Sequence, residues 1–240
     1  GFAMEPNALH IWPRRAFMMI ALPNADATYT CTLFWPFEGD VSFDALQDDQ
    51  QVRSFFERHF PDAVPLMPRL AEDFRQNPVG SLVTTRCHPY HYGDKVVMLG
   101  DAAHAVVPFY GQGMNAAFED CTVLTQCIER YAPDWSEVLA HYTRLRRDNC
   151  NALADLAIAN FLEMRDRTGS AAFRWKKWLE QTLHKLLGRR FVPLYSMISF
   201  SRIPYAEAVA VAQRRGRLLA RLTAGIGVLL LLLLAVIVWR

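Results

Sequence analysis

The stretch KVVMLGDAAHAVVPFYGQGMNAAFED, residues 95–120, decides how the rest of the chain is read. Lys95 to Leu99 is a short apolar run that reads as a strand, and it passes directly into Gly100-Asp101-Ala102-Ala103-His104. A glycine and an aspartate at the carboxyl end of a strand present a carboxylate to a ligand hydroxyl, because ligands of open α/β sheets gather in the crevice beyond the strand ends. Ten residues after Asp101, Gly111-Gln112-Gly113-Met114-Asn115 opens a helical pattern carried by Ala116, Ala117, Phe118, Val123, Leu124 and Ile128. A helix start has unpaired backbone N–H groups and a partial positive charge, so it attracts anionic or electron-rich groups. Gly111 and Gly113 let a ligand approach the backbone with no Cβ in the way. A GxG before a helix is by itself more often a tight turn; joined to the strand, the Gly-Asp pair, Pro108 and Asn115 at these spacings, it is a specific signal for a bound cofactor.

Working outward toward the N-terminus, Leu9–Trp12, Phe17–Leu22 and Tyr29–Phe37 read as strands, the last two joined by the turn-rich Pro23-Asn24-Ala25-Asp26. Side chains of a strand alternate, which puts Met18, Ile20 and Leu22 on one face, with Phe34 on the returning strand. These four either floor an apolar pocket or form a plain sheet core, and the residues alone favour the core. Gln50 to Arg75 is helical in pattern: Val52, Phe55, Phe56 and Phe60 recur at helical spacing until Pro61 closes the run, as expected of packing residues. Ser81–Arg86 reads as a further short strand.

Composition is that of an ordinary globular chain, 240 residues with 52% hydrophobic and 21% charged, which excludes disorder as the default. The net charge of +2 gives no reason to expect nucleic acid. Five cysteines, an odd number with no CxxC pair, suggest neither a disulfide framework nor a zinc site, and fit a reducing compartment. The sequence shows no signal peptide and opens without an initiator methionine. From Leu222 to Trp239 no residue is charged, and Leu229–Leu234 is an unbroken leucine run. As a helix this stretch would rise about 27 Å, which leads to the expectation of a C-terminal transmembrane helix with Trp239 at its far interface. Arg214, Arg215, Arg217 and Arg221 on the near side would keep the body of the protein facing the cytoplasm, at a bacterial inner membrane or a mitochondrial outer membrane.

Gly100–His104, Pro108 and Gly111–Ala116 resemble the second flavin motif of the single-component flavoprotein aromatic hydroxylases. Within that group, Ala3–Asn7, Phe17–Asn24, Phe60–Ala63, Asn160–Arg165, Pro193–Tyr195 and Phe200–Ile203 look like the kynurenine 3-monooxygenase family, so the resemblance reaches over nearly the whole chain. It implies an α/β chain with part of an FAD-dependent hydroxylase fold: an antiparallel substrate-domain sheet, part of the flavin domain and a C-terminal helical region. The expected boundaries are 1–80 for substrate-domain sheet and helices, 81–132 for the flavin-domain part, 133–205 for a helical substrate-capping region, and 206–240 for a basic linker helix and anchor. The implied reaction is hydroxylation of L-kynurenine to 3-hydroxykynurenine with FAD as cofactor and NADPH as co-substrate, the partner being a small aromatic amino acid.

The resemblance assigns Asp101, Pro108, Gly111, Gly113, Met114 and Asn115 to FAD. It assigns Asn160 and Tyr195 to the substrate's amino acid group, Met164 to the pocket wall, and Met18, Ile20, Leu22, Phe34 and Phe109 to the apolar lining around the ring. The role of Tyr110 stays open. His104 is expected to pack or hydrogen-bond behind the flavin loop. Glu119 and Asp120 lie in the first turns of the following helix, where the dipole favours acidic residues whatever the function. None of these three is assigned to catalysis, and the cofactor is expected to carry the chemistry. The strand-GxGxxG-helix fingerprint that cradles the FAD pyrophosphate does not occur in these 240 residues, which leads to the expectation of a C-terminal part that does not turn over alone. Two other readings are a related flavoprotein monooxygenase or epoxidase with another substrate, and a non-catalytic membrane-tethered remnant.

Overall fold

The structure is a computed structural model that describes residues 1–167, 171–188 and 191–238, with side chains outside the description at 166, 167, 171–174, 176, 177, 180, 187, 220, 222–224 and 226–238. The chain forms two compact units, 1–82 with 159–177, and 83–158 with 178–240.

In the first unit β1 (His10–Pro13), β2 (Met18–Pro23) and β3 (Tyr29–Phe34) make an antiparallel sheet in that order. The β2–β3 turn holds its shape because Asp26 Oδ1 accepts from both the N–H and the hydroxyl of Thr28, at 3.0 and 2.6 Å. Helix α1 (Asp49–His59) is capped by Asp48, whose side chain accepts from the Gln51 N–H at 2.8 Å. The expected helical stretch from 50 to 75 is in fact broken. Pro61, Pro65 and Pro68 disfavour helical geometry in the residues before them, and the helix resumes only at α2 (Leu70–Gln76).

Phe17, Met19 and Trp35 bury themselves against Val52, Phe56, Phe60 and Leu70, with the Trp35 and Phe55 rings stacked at 4.2 Å. This aromatic core takes the Phe17–Met19 face of β2. The register pairs Met18 with Phe34 on the other face, where Met18 is buried, Ile20 and Phe34 are half-buried, and Leu22 is 47% exposed. The residues alone favoured core for these four; the second, incompletely covered face of the sheet is where they stand.

The second unit carries the strand-and-glycine segment. β4 (His91–Tyr92) pairs with β5 (Val96–Val97), and the expected strand over Lys95–Leu99 shortens to those two residues, with one more bond from the Met98 N–H to the Tyr90 carbonyl at 2.7 Å. No strand forms over Ser81–Arg86: Thr85 N–H bonds Ala105 O, and Cys87 N–H just beyond the stretch bonds Ala103 O, without a strand ladder. Helices α3 (Asp101–His104), α4 (Gly113–Tyr131) and α5 (Trp135–Leu162) follow, then α6 (Ala171–Leu187), α7 (Leu194–Phe200) and α8 (Tyr205–Val238). Two clusters hold this unit: Tyr90, Ala103, Cys127, Val138, Leu139 and Tyr142 form one, and Ala116, Leu153, Met197, Ile198, Tyr205 and Ala208 the other.

The expected transmembrane helix is corrected. Among the described residues no helix is long and apolar enough to cross a membrane. The described part of α8 carries Glu207, Arg214, Arg215, Arg217 and Arg221, and its Tyr205 and Ala208 are spent on the core shared with α5 and α7. Most side chains of the leucine-rich run, and Trp239 and Arg240 entirely, lie outside the described residues. The membrane partner inferred from that run loses its basis with it.

Candidate functional site

Gly100 takes φ +56°, ψ −139°, a region closed to residues with a Cβ, and a Cβ placed there would stand 3.2 Å from that of Ala117. Turn and helix α4 therefore touch backbone to methyl, and Asp101 emerges exposed as the first residue of α3. The chain returns through Val106 and a single 3₁₀ turn, Pro108–Tyr110, which ends on Gly111 in the left-handed region at φ +67°. Helix α4 then starts with no side-chain cap: Gln112 does not bond the first-turn N–H groups, and its Oε1 instead accepts from Asn115 Nδ2 at 2.9 Å.

Asp101, Val106, Pro108, Gly111, Gly113, Met114 and Ala117 line one cleft. Its chemistry is specific: apolar walls for a flat ring, one exposed carboxylate for a hydroxyl, and an uncapped helix start whose free donors suit an electron-rich edge. With glycine at 111 and 113 no side chain fills the floor, and FAD fits this set of groups.

Behind the cleft lies a buried polar network. Asp120, wholly buried on α4, accepts at Oδ2 from the Gly100 N–H at 2.8 Å and faces His104 Nε2 at 2.6 Å; at Oδ1 it accepts from Arg146 Nε at 2.6 Å. Arg146, 1% exposed on α5, also reaches Glu119 Oε2 at 2.6 Å and the Ala116 carbonyl at 3.2 Å. Burial alone would lower the His104 pKa, but its bonds to Asp120 and Cys150 override that and push it up to about 10, so the ring is a cation at neutral pH. Burial likewise works against the Asp120 carboxylate, and the His104, Arg146 and Gly100 donors outweigh it, holding the pKa below its ordinary value.

His104, Asp120 and Cys150 bring one potential metal ligand each within 4.8 Å of one another. Both oxygens of Asp120 are already occupied by donors, and Arg146 Nη2 stands 3.6 Å from Cys150 Sγ. A guanidinium in that place makes this a hydrogen-bonded ion network and not a metal site.

The helix dipole alone does not account for Asp120: its side chain is wholly buried and bonded by Gly100, His104 and, from α5, Arg146. The one signal for the network in the sequence is Arg146, a charge set at helical spacing between Tyr142 and Cys150 on an otherwise apolar stripe; such a residue needs a buried partner. The expected cofactor residues come together: Asp101, Pro108, Gly111, Gly113 and Met114 line the cleft, and Asn115 stands beside it on α4. The expected substrate residues divide. Met18, Ile20, Leu22, Phe34, Asn160 and Met164 belong to the first unit, where Asn160 Nδ2 is 3.4 Å from Met164 Sδ. Phe109 and Tyr195 belong to the second; Phe109 sits in the 3₁₀ turn, and Tyr195, on α7, packs its ring 5.9 Å from that of Tyr110.

A glycine-turn carboxylate, a glycine loop and an uncapped helix around an apolar-walled cleft are the kind of groups a flavoprotein offers its cofactor. The profile of the FAD binding domain family matches residues 12–157, and the chain belongs to that family. It is 48% identical over 208 residues to the kynurenine 3-monooxygenase of Flavobacterium johnsoniae, covering 87% of this chain and 47% of that protein. The Dictyostelium discoideum kynurenine 3-monooxygenase is 46% identical over 236 residues, covering 93% and 51%, and that of Sus scrofa 45% identical over 210 residues, covering 87% and 44%. The chain spans about half the length of the curated relatives it matches. Among solved structures, Klebsiella pneumoniae HpxO complexed with FAD and uric acid aligns with a TM-score of 0.55 at 19% identity over 75% of this chain and 46% of that one, a likeness of fold.

Proposed function

We propose that this chain is the part of an FAD- and NADPH-dependent monooxygenase that completes the flavin site and contributes to hydroxylation of L-kynurenine to 3-hydroxykynurenine. The observation that carries the reading is the agreement of three distant kynurenine 3-monooxygenases, at 45–48% identity, over 87–93% of this chain. Bound FAD supplies the redox and oxygen chemistry. Asp101 accepts a hydrogen bond from a cofactor hydroxyl at the cleft wall. The open N–H groups at the start of α4 would hold an electron-rich edge of the cofactor and favour negative charge on it. Met114 and Pro108, which line the cleft, would give the cofactor ring apolar surface and limit its contact with water.

For the substrate, the resemblance assigns the polar contacts to Asn160 and to Tyr195, and the apolar ones to Met18, Ile20, Leu22, Phe34, Met164 and Phe109. The test is an assay of the polypeptide that carries this chain for kynurenine-stimulated NADPH oxidation and for 3-hydroxykynurenine. Tyr195→Phe and Asn160→Leu should each raise the KM for kynurenine about tenfold, the worth of one hydrogen bond to a charged group. Oxidation of NADPH that is indifferent to kynurenine, or a KM unmoved in both variants, would sink the substrate assignment.

A further inference from the structure

We propose that Asp120 is a positioning residue for the cofactor: its buried carboxylate holds the Gly100 N–H, and through that turn sets the Asp101 carboxylate where the cofactor hydroxyl meets it. The proposal rests on the cleft being the FAD site. Helix α3 has four residues, too few to hold their own shape, since even much longer isolated helices are marginal in water. One oxygen of Asp120 serves both its ends, the Gly100 N–H before its first residue at 2.8 Å and the His104 ring of its last at 2.6 Å. The other oxygen is held by Arg146 at 2.6 Å, which locks the carboxylate to α5. One turn earlier on α4, Ala117 limits how far Gly100 can move toward the helix, with 3.2 Å to a Cβ built on that glycine. Asp120 therefore sets the turn by attraction where Ala117 sets it by contact. Neither Asp120, His104 nor Arg146 lines the cleft, so any influence on the cofactor passes through Gly100 and Asp101.

Amide hydrogen exchange at Gly100, Ala103 and His104 tests this without the flavin, and an FAD titration of the full polypeptide that carries this chain, followed by flavin fluorescence, tests its consequence. Asp120→Ala should speed exchange at these three amides about tenfold or more relative to amides in the middle of α4, the effect of losing one bond to a charged acceptor, and should weaken FAD binding by a similar factor. Asp120→Asn, which keeps an oxygen for the Gly100 N–H, should restore most of both. Leu153→Ala, a buried truncation on α5 away from the carboxylate, should lower the melting temperature and leave the exchange ratio unchanged. Should the alanine variant not fold, His104→Gln decides: it leaves the Gly100–Asp120 bond in place, so Gly100 should remain protected. Gly100 protected in folded Asp120→Ala, exposed in His104→Gln, or loosened equally by Leu153→Ala overturns the proposal. Loosened exchange in a full polypeptide carrying this chain that takes up no FAD supports the positioning and sinks the cofactor reading instead; FAD uptake there with unmoved exchange does the reverse.

Discussion

His104 and Asp120 sit 2.6 Å apart with almost no exposure, and their ionisation makes stability depend on pH in a definite direction. The His104 pKa is raised from its ordinary 6.5 to about 10, so its contribution is complete below 6.5 and is lost as pH climbs through about 10. The Asp120 pKa is lowered, so its contribution is complete above its ordinary 3.8 and is lost as pH falls. Thermal midpoints should thus stand on a plateau between those two ordinary values and decline on the alkaline side, and His104→Gln should flatten that decline. Parallel curves for parent and variant above pH 6.5 would refute it. Gly100 offers a second residue-scale contrast. Gly100→Ala meets both the left-handed backbone and the Ala117 methyl, whereas Gly111→Ala meets only the backbone. In urea unfolding the latter should cost about 1–2 kcal/mol and the former distinctly more, with Ala117→Gly recovering the difference.

At the scale of elements, β2 separates structure from function by its two faces. Met19→Ala empties a site 1% exposed in the aromatic core and should cost about 2–5 kcal/mol. Leu22→Ala, on the half-open face at 47% exposure, should cost less than about 1 kcal/mol and show itself in the KM for kynurenine if that face lines the substrate pocket. Unfolding midpoints and steady-state kinetics on the same two variants separate these effects. The alternation that makes Met18, Ile20 and Leu22 one face was legible in the sequence; which face meets the core was not, because Trp35, Phe55 and Phe60 come from elements whose docking no local pattern encodes. The cofactor cleft was legible for the opposite reason, since all its lining residues fall between 101 and 117. The network behind it was hidden because Asp120 draws its partners from 20, 16 and 26 residues away.

For the whole molecule, the cofactor's effect on stability follows from mass action. FAD at a hundredfold excess over its dissociation constant should add about 2.7 kcal/mol to the unfolding free energy of the form that binds it, read as a thermal shift. Asp101→Ala should lose most of that shift while its own midpoint stays near the parent's, because Asp101 is exposed and removes no packing. A full shift in the variant would take Asp101 out of the site. The transmembrane expectation failed at this same scale. An apolar run was legible, but among the described residues no helix is long and apolar enough to cross a membrane, and most side chains of that run lie outside them. The Asp120 carboxylate has a last consequence, one of order in time. On the ribosome the whole cleft segment, His104 and Asp120 included, is made once residue 120 has been added, yet Arg146, which holds the second oxygen of Asp120, comes later by 26 positions. Until α5 is synthesised and docked, that second oxygen has no donor, and burying it so is unfavourable. The cleft is finished in sequence well before it can close in space, and assembles only as the helix beyond it arrives.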